Sequence, residues 1–342
     1  MVSLLLIALA NAAGAGTPAS PTCAPVDTVS RVDPACAPPS EAAATAVVTV
    51  TARASEAGRR RESSLARLET IRTASGAGAL APSELLGAAA SRHAIYLDAN
   101  GLHSTPSTHS EAAGLVGFTG ADPFVRMRAA GYRSSYATEL IGVATSDGDC
   151  VDTLMDTVYH AALLLSRVTQ VGLAYGEGAA STACVIDLGA PLAAPAQREG
   201  PSSDLVRYPW PGMTVASGTF RPNSENPRPA PGLLPAATAG IPVLVGLRNV
   251  DDLRTPAEPV PIEIQRFELR DDRNASVPCV LLADPVISGP AIVADKVLHG
   301  AFAVLVPRTP LTPGRYHVLF HATLESGRVI APAPWDFAVA AP

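Results

Sequence analysis

The sequence predicts an α+β domain followed by an all-β sandwich. Apolar residues recur at helical spacing between Ser63 and Val158, and two strand-like runs joined by Gly176-Glu177-Gly178 come next. Beyond Ser203 the period changes to short, partly β-branched runs separated by Pro, Gly, Asn and Asp clusters. With 342 residues the chain is long enough for two ordinary domains. Its 47% hydrophobic and 16% charged content is globular, and 32 prolines and 27 glycines suit long connections or a β-rich part. A net charge of -6 and a single lysine, Lys296, leave no concentrated basic face, so nucleic acid is not an expected partner.

The chain opens with Met1-Val2-Ser3, the apolar run Leu4 to Ala10 and the small residues Ala10-Asn11-Ala12, which read as a signal peptide over residues 1–12. That run is too short to span a bilayer and no other stretch qualifies, so no transmembrane segment is expected. The protein is therefore read as secreted, extracellular or periplasmic. Five cysteines fit that compartment: Cys23 and Cys36 flank a short loop, Cys150 and Cys184 share the first domain, and Cys279 is left over. Two disulfides and one free thiol are expected, with Cys150 bridged to Cys184. The sequon Asn274-Ala275-Ser276 is discounted, because the low-lysine, Ala-rich composition suggests a bacterial host.

Residues 13–62 are Pro-, Ala-, Ser- and Thr-rich and read as a disordered linker in which Ala46 to Val50 could form one strand. The first domain is placed at 63–190. Ser63-Ser64 caps a helix carrying Leu65, Leu68 and Ile71, which Gly76 and Gly78 stop. Pro82-Ser83-Glu84 starts a second helix with Leu86, Ala89, Ala90, His93 and Leu97 on one face, so His93 is expected inside as a core histidine bonded to backbone. Asn100-Gly101 closes it. After a polar loop holding His103, His109 and Glu111, Asp122-Pro123 begins a third helix with Phe124, Met127 and Ala130 as its buried face and Gly131 at its end. A fourth runs from about 149 to 158 on Val151, Leu154, Met155 and Val158, with His160 just past it. Gln170 to Gly176 and Thr182 to Leu188 form a hairpin. A Pro/Ala/Ser-rich linker at 191–204 leads to the second domain, 205–342. Its candidate strands are Thr214–Phe220, Ile241–Arg248, Ile262–Arg270, Val277–Ala283, Phe302–Pro307, Tyr316–Leu324 and Asp336–Val339, with Trp210 and Trp335 in or at the rim of the core.

Seven fragments stand in order over residues 63 to 190: Leu68 with Arg72, Ala89-Ala90 with His93, His109-Ser110-Glu111, Gly131-Tyr132, Glu139-Leu140-Ile141, Thr157 with His160, and Val171-Gly172. Together they resemble the CAP superfamily of SCP-like secreted domains, in its bacterial branch. The resemblance implies an α-β-α sandwich. Three positions depart from the family pattern: Leu140 replaces the asparagine after the glutamate, Leu154 the helix tryptophan, and Ala161 the arginine after the last histidine. Asp152 and Asp156 are only near the acidic position that some members add. Tyr208-Pro209-Trp210-Pro211, the Asn223 to Pro229 segment and the closing Trp335-Asp336-Phe337 look like the immunoglobulin-like domain that follows in some bacterial members.

In that family two histidines and one or two glutamates converge in a cleft that holds zinc or magnesium in some members. Carried over, the metal-ligating histidines are His109 and His160, with His103 the alternative to His109, and the carboxylates are Glu139 and Glu111. Neutral imidazoles suit a borderline divalent ion, Zn²⁺ or Mg²⁺ here, and a carboxylate orients the ring or activates a bound water. No Gly-x-Ser-x-Gly elbow and no His-Glu-x-x-His motif occurs, so metal-activated water with Glu139 or Glu111 as base is the one hydrolytic route available. Ser104, Ser107 and Ser110 are read as turn formers. The competing expectation is a binding or adhesive module without catalysis, taking a small molecule, a lipid or a cell-envelope component, as resemblance to lipid-binding relatives implies. An envelope scaffold with a vestigial site is the third.

Overall fold

The structure, a computed structural model, describes residues 41–102, 108–143, 149–176, 183–191, 205–247, 261–299 and 301–341. The expected signal peptide, Cys23, Cys36, His103, Ser104 and Ser107 lie outside these residues, as does the linker at 191–204 apart from Pro191. The chain divides into two compact units, Met1–Val50 and Thr51–Pro342. The described part of the first, residues 41–50, is helical. Apart from the start of the first helix, all that follows concerns the second.

Helix α1 spans Glu41–Ser75, so ordered structure begins well before the expected Ser63, and Ala46 to Val50 is helix rather than strand. The reason is local: Ala-rich sequence without proline or glycine from 41 to 57 favours helix. Glu56 also pairs with both Arg59 and Arg60 one turn on. Toward its end α1 buries Ser64, Leu68, Ile71, Arg72 and Ser75. The Arg72 guanidinium is fully enclosed and donates to the carbonyls of Gly78 (2.8 Å), Ala77 (3.0 Å), Ser166 (3.0 Å), Val168 (3.3 Å) and Leu164. One side chain thus supplies partners to carbonyls that no ladder satisfies, and fixes the loop after α1 to the loop before the hairpin.

Strand β1 (Ala81–Pro82) precedes α2 (Glu84–Ala99), whose N-cap Ser83 accepts from Leu86 N. Helix α3 (Pro123–Ala129) is capped by Asp122, followed by β2 (Ser134–Val143). Next come α4 (Cys150–Met155), capped by Asp149, and α5 (Tyr159–Leu164). Strands β3 (Gln170–Tyr175) and β4 (Ala183–Pro191) close this half. The sheet runs β1-β3-β4-β2, with β4 antiparallel to both neighbours. Strand β2 was not expected; its cross-strand partner β4 decides it. Side chains alternate across the sheet: Leu140, Leu173 and Ile186 pack with residues of α1, α4 and α5, whereas Ala174 and Val185 pack with Ala90, Ala94 and Leu97 of α2. Helices therefore cover both faces, as an α-β-α sandwich requires. Gly172 permits the α2 contact, since a Cβ there would lie 2.1 Å from Gly87 N.

Two expectations for this half change. The predicted fourth helix is broken into α4 and α5, so His160 lies inside α5 rather than beyond a helix end. On α3 the inward residues are Arg126 and Met127, while Phe124 is 52% exposed. Apolar spacing alone misplaced that face because a buried arginine took the core position.

The second half is β-rich. Its strands are β5 (Leu205–Tyr208), β6 (Thr214–Val215), β7 (Thr219–Phe220), β8 (Ala239–Gly240), β9 (Val243–Leu247), β10 (Ile262–Asp271) and β11 (Cys279–Ala283). They continue with β12 (Ile287–Ser288), β13 (Ile292–Ala294), β14 (Phe302–Pro307), β15 (Gly314–Leu324), β16 (Val329–Ile330) and β17 (Trp335–Val339). One sheet runs β13-β11-β14-β9-β5, the other β12-β10-β15-β17-β6 with β16 added on β15. Strands β10 and β15 bury alternate residues and β14 buries every one, so the first sheet is covered on both faces and the second on one. Trp335 is buried and its Nε1 donates to Pro209 O at 3.0 Å.

The two halves share one apolar core, in which Leu68, Val158 and Ile186 belong to the same cluster as Tyr208, Val245 and Phe337. Polar ties accompany it. Buried Glu225 accepts from Val158 N (2.9 Å) and Tyr159 N (2.7 Å) at the start of α5, and Tyr159 donates its hydroxyl to Asp295 at 2.8 Å. Cys150 and Cys184 form the expected disulfide between α4 and β4, with a sequence separation of 34. Closing that loop restricts the unfolded chain by about 3 to 4 kcal/mol. Cys150→Ala with Cys184→Ala is expected to lower the unfolding free energy by about that amount in urea titration, and an unchanged midpoint under reductant would contradict it.

Candidate functional site

The polar centre of the first half is assembled from α2, the loop from residue 108 to 122, α3, β2 and β4. His93 projects from α2 into the interior. Its Nδ1 lies 2.9 Å from Glu111 Oε1 and its Nε2 2.7 Å from the Thr108 carbonyl. Nε2 donates to the carbonyl, and Nδ1 faces the carboxylate. The expected bond to backbone is there, but His93 is also a member of a charged cluster.

Glu111 is enclosed. Its Oε2 accepts from Thr119 N (2.5 Å) and Gly120 N (3.1 Å), and the Thr119 hydroxyl adds a contact at 3.2 Å. The Phe118-Thr119-Gly120 turn thus folds around a carboxylate. Gly120 is required there, because a Cβ would stand 2.7 Å from Val125 Cγ1.

Arg126 reaches in from α3. Its Nη2 bonds Glu139 Oε1 (2.8 Å) and Oε2 (2.7 Å) and the His109 carbonyl (3.0 Å), Nη1 bonds Gly120 O (3.2 Å), and Nε stands 3.7 Å from Glu111 Oε1. Glu139, on β2, also meets His109 Nδ1 at 3.0 Å. His93, Glu111, Arg126 and Glu139 are buried, whereas the His109 side chain is 45% exposed. His109 is the outlet of the cluster.

Asp187 lies directly across from Glu139 in the β2–β4 pairing. It is buried, and its Oδ1 has no hydrogen-bond partner among the described residues. Burial, followed by the Glu139 charge, pushes its carboxyl well above the ordinary 3.8, against the pull of Arg126. The neutral acid is the form this position favours.

His160 has other partners. Its Nδ1 meets Thr157 Oγ1 at 3.0 Å and lies 3.4 Å from Glu225 Oε1. The Thr157 hydroxyl already donates to Leu154 O, so the ring supplies the hydrogen to Thr157 and leaves Nε2 open. Of the expected site residues, the structure brings together His109, Glu111 and Glu139, and holds His160 through Thr157 and the β-rich half. Asp152 is engaged by Arg67 at 2.7 Å. Asp156, at the end of α4, is pushed up to about 6 by burial and by Asp152.

Arg126 and Asp187 escaped sequence reading. For Asp187 a signal exists: it is the one charge in the otherwise apolar run Ala183 to Leu188, within the expected strand Thr182 to Leu188. Arg126 carries no such mark, since a helix arginine is ordinarily solvated.

The chemistry open to this arrangement is narrow. Both nitrogens of His93 are used, both Glu111 oxygens face donors, and Glu139 is clamped by a guanidinium. Among the described residues no group of three or more His, Cys, Asp or Glu side chains is arranged to hold a metal ion. No helix among them is long and apolar enough to cross a membrane.

Residues 65–188 match the family described as CAP, the cysteine-rich secretory protein family. A search of curated proteins finds no match. The match covers most of the sheet, α2 to α5, and both His109 and His160, and ends short of Glu225.

Two expectations follow from the charge arrangement. Arg126→Met strands buried carboxylates without a counter-charge and is expected to cost about 3 to 5 kcal/mol in chemical unfolding; a loss below about 1 kcal/mol would show that Glu139 and Glu111 need no cation. Because the folded-state value of Asp187 is raised, its contribution is fully present below the unfolded value and is lost as pH rises toward the folded one. Asp187→Asn removes that loss, so its stability relative to the parent is expected to increase from pH 4 upward, by at most about 1.4 kcal/mol per pH unit. A pH-independent difference would contradict it.

Proposed function

We propose that this chain is a secreted bacterial binding protein in which a CAP-like domain presents the His109 imidazole to its ligand, with an immunoglobulin-like domain as spacer or adhesive support. One observation carries the reading: His109 is the exposed member of an otherwise buried cluster, and its Nδ1 is tied to Glu139. A carboxylate on one ring nitrogen fixes the tautomer and leaves Nε2 as the lone pair on offer. The disulfide suits an oxidising compartment.

A catalytic role for Glu139 or Glu111 gains no support, because their oxygens are already committed to Arg126, His93, Thr119 and Gly120. Magnesium does not fit: it asks for several free oxygen ligands, and these carboxylates are occupied. Zinc fits His109 Nε2, with Glu139 in the orienting position behind the ring. The open Nε2 of His160 would be the second ligand, and waters would complete a weak site. This second reading rests on the carboxylate–imidazole pair.

Titration of the full chain with zinc, followed by calorimetry, separates the two. The metal reading expects saturable heat that His109→Ala abolishes and His160→Ala weakens at least about tenfold. No heat from the intact chain removes zinc and leaves direct binding, which is then read by retention on bacterial envelope preparations. Retention equal in the parent and in His109→Ala would sink the proposal altogether.

A further inference from the structure

Beside α3, away from the hydrogen bonds of the buried cluster, is a cavity of about 300 Å³ whose wall includes Phe124, Met127, Arg128, Tyr132, Arg133 and Ser134. We propose that it binds a small organic anion, a carboxylate or phosphate monoester carried on a flat apolar body.

The charge of the wall supports this first. No aspartate or glutamate lines the cavity, although the chain as a whole carries a net charge of -6. Arg128 and Arg133 are both exposed, and neither guanidinium forms an ion pair or hydrogen bond among the described residues. Two guanidinium groups facing one cavity without a counter-ion give a planar, multi-donor match to carboxylate or phosphate oxygens.

The apolar part follows from helix geometry. Phe124 and Arg128 are four residues apart on α3 and lie one above the other. Phe124 is 52% exposed, and buried Met127 adjoins it. A ligand whose head meets Arg128 and Arg133 therefore lays its body along Phe124 and Met127. Tyr132 remains a neutral phenol, its hydroxyl pushed up to about 12 by burial and donated to Gln170 at 3.0 Å, so it adds no competing negative charge. Ser134 supplies a further polar group on the wall.

The test is a chemical-shift titration of the full chain with phenylacetate, phenyl phosphate and the neutral analogue phenylacetamide. Saturable shifts of the Gly131 and Ser134 amides are expected with the anions, at least about tenfold tighter than with the amide. The better of the two anions tells carboxylate from phosphate ester. Arg128→Ala with Arg133→Ala is expected to abolish the preference; both residues are exposed, so the fold is retained, as a melting curve checks. Phe124→Ala weakens all three ligands. His109→Ala leaves the titration unchanged, which separates this site from the binding proposed above. Equal affinity for phenylacetamide, or no saturation by either anion at about 20 mM, overturns the proposal.

Discussion

One guanidinium holds the first half of this molecule together. Arg126 bridges Glu139, Glu111, the His109 carbonyl and the Gly120 carbonyl, and so joins α3, β2 and the loop from 108 to 122 at one point. Burying two carboxylates costs several kcal/mol each unless the charge is met at close range. Arg126 meets it, His93 adds a hydrogen bond to Glu111, and Asp187 avoids the problem by favouring its neutral form. The exposed edge of the site inherits its geometry from this interior arrangement: His109 is placed by Glu139, and Glu139 by Arg126.

A second arginine does comparable work through backbone carbonyls. Arg72 spends its donors on backbone oxygens from residues 77 to 78 and 164 to 168. Apart from Leu164, the last residue of α5, these residues lie outside helix and strand, so no ladder satisfies their carbonyls. The site and the scaffold thus rest on the same device, a fully enclosed side chain whose fixed fork of donors replaces missing secondary structure.

Much of the first half was legible in residues 63 to 190 because its fragments carry strict steric or capping demands. Val171-Gly172 stands out because α2 crosses so closely that Gly172 can have no side chain, and Gly131-Tyr132 because α3 ends on a positive φ of 92°. Ser83, Asp122 and Asp149 announce three helix starts by their side-chain bonds. What could not be read depends on partners remote in sequence. Strand β2 is a strand because β4 pairs with it, His93 is more than a core residue because Glu111 folds back onto it, and the environment of His160 depends on Glu225, 65 to 67 residues away in the chain from the groups it binds. In the β-rich half the long strands were visible as partly β-branched runs bounded by Pro, Gly, Asn and Asp clusters, whereas β12, β13 and β16 are only two or three residues long.

The carboxylate of Glu225 has a consequence for where this molecule can be cut. It is an acidic group lent by one half to the other: it closes the first turn of α5 and flanks the ring of His160, while the family match stops at residue 188. A fragment trimmed to that match would keep the histidine and lose its neighbour. The smallest piece that preserves both histidine settings is therefore defined by the reach of a single side chain across a shared core, and it extends well into the β-rich half.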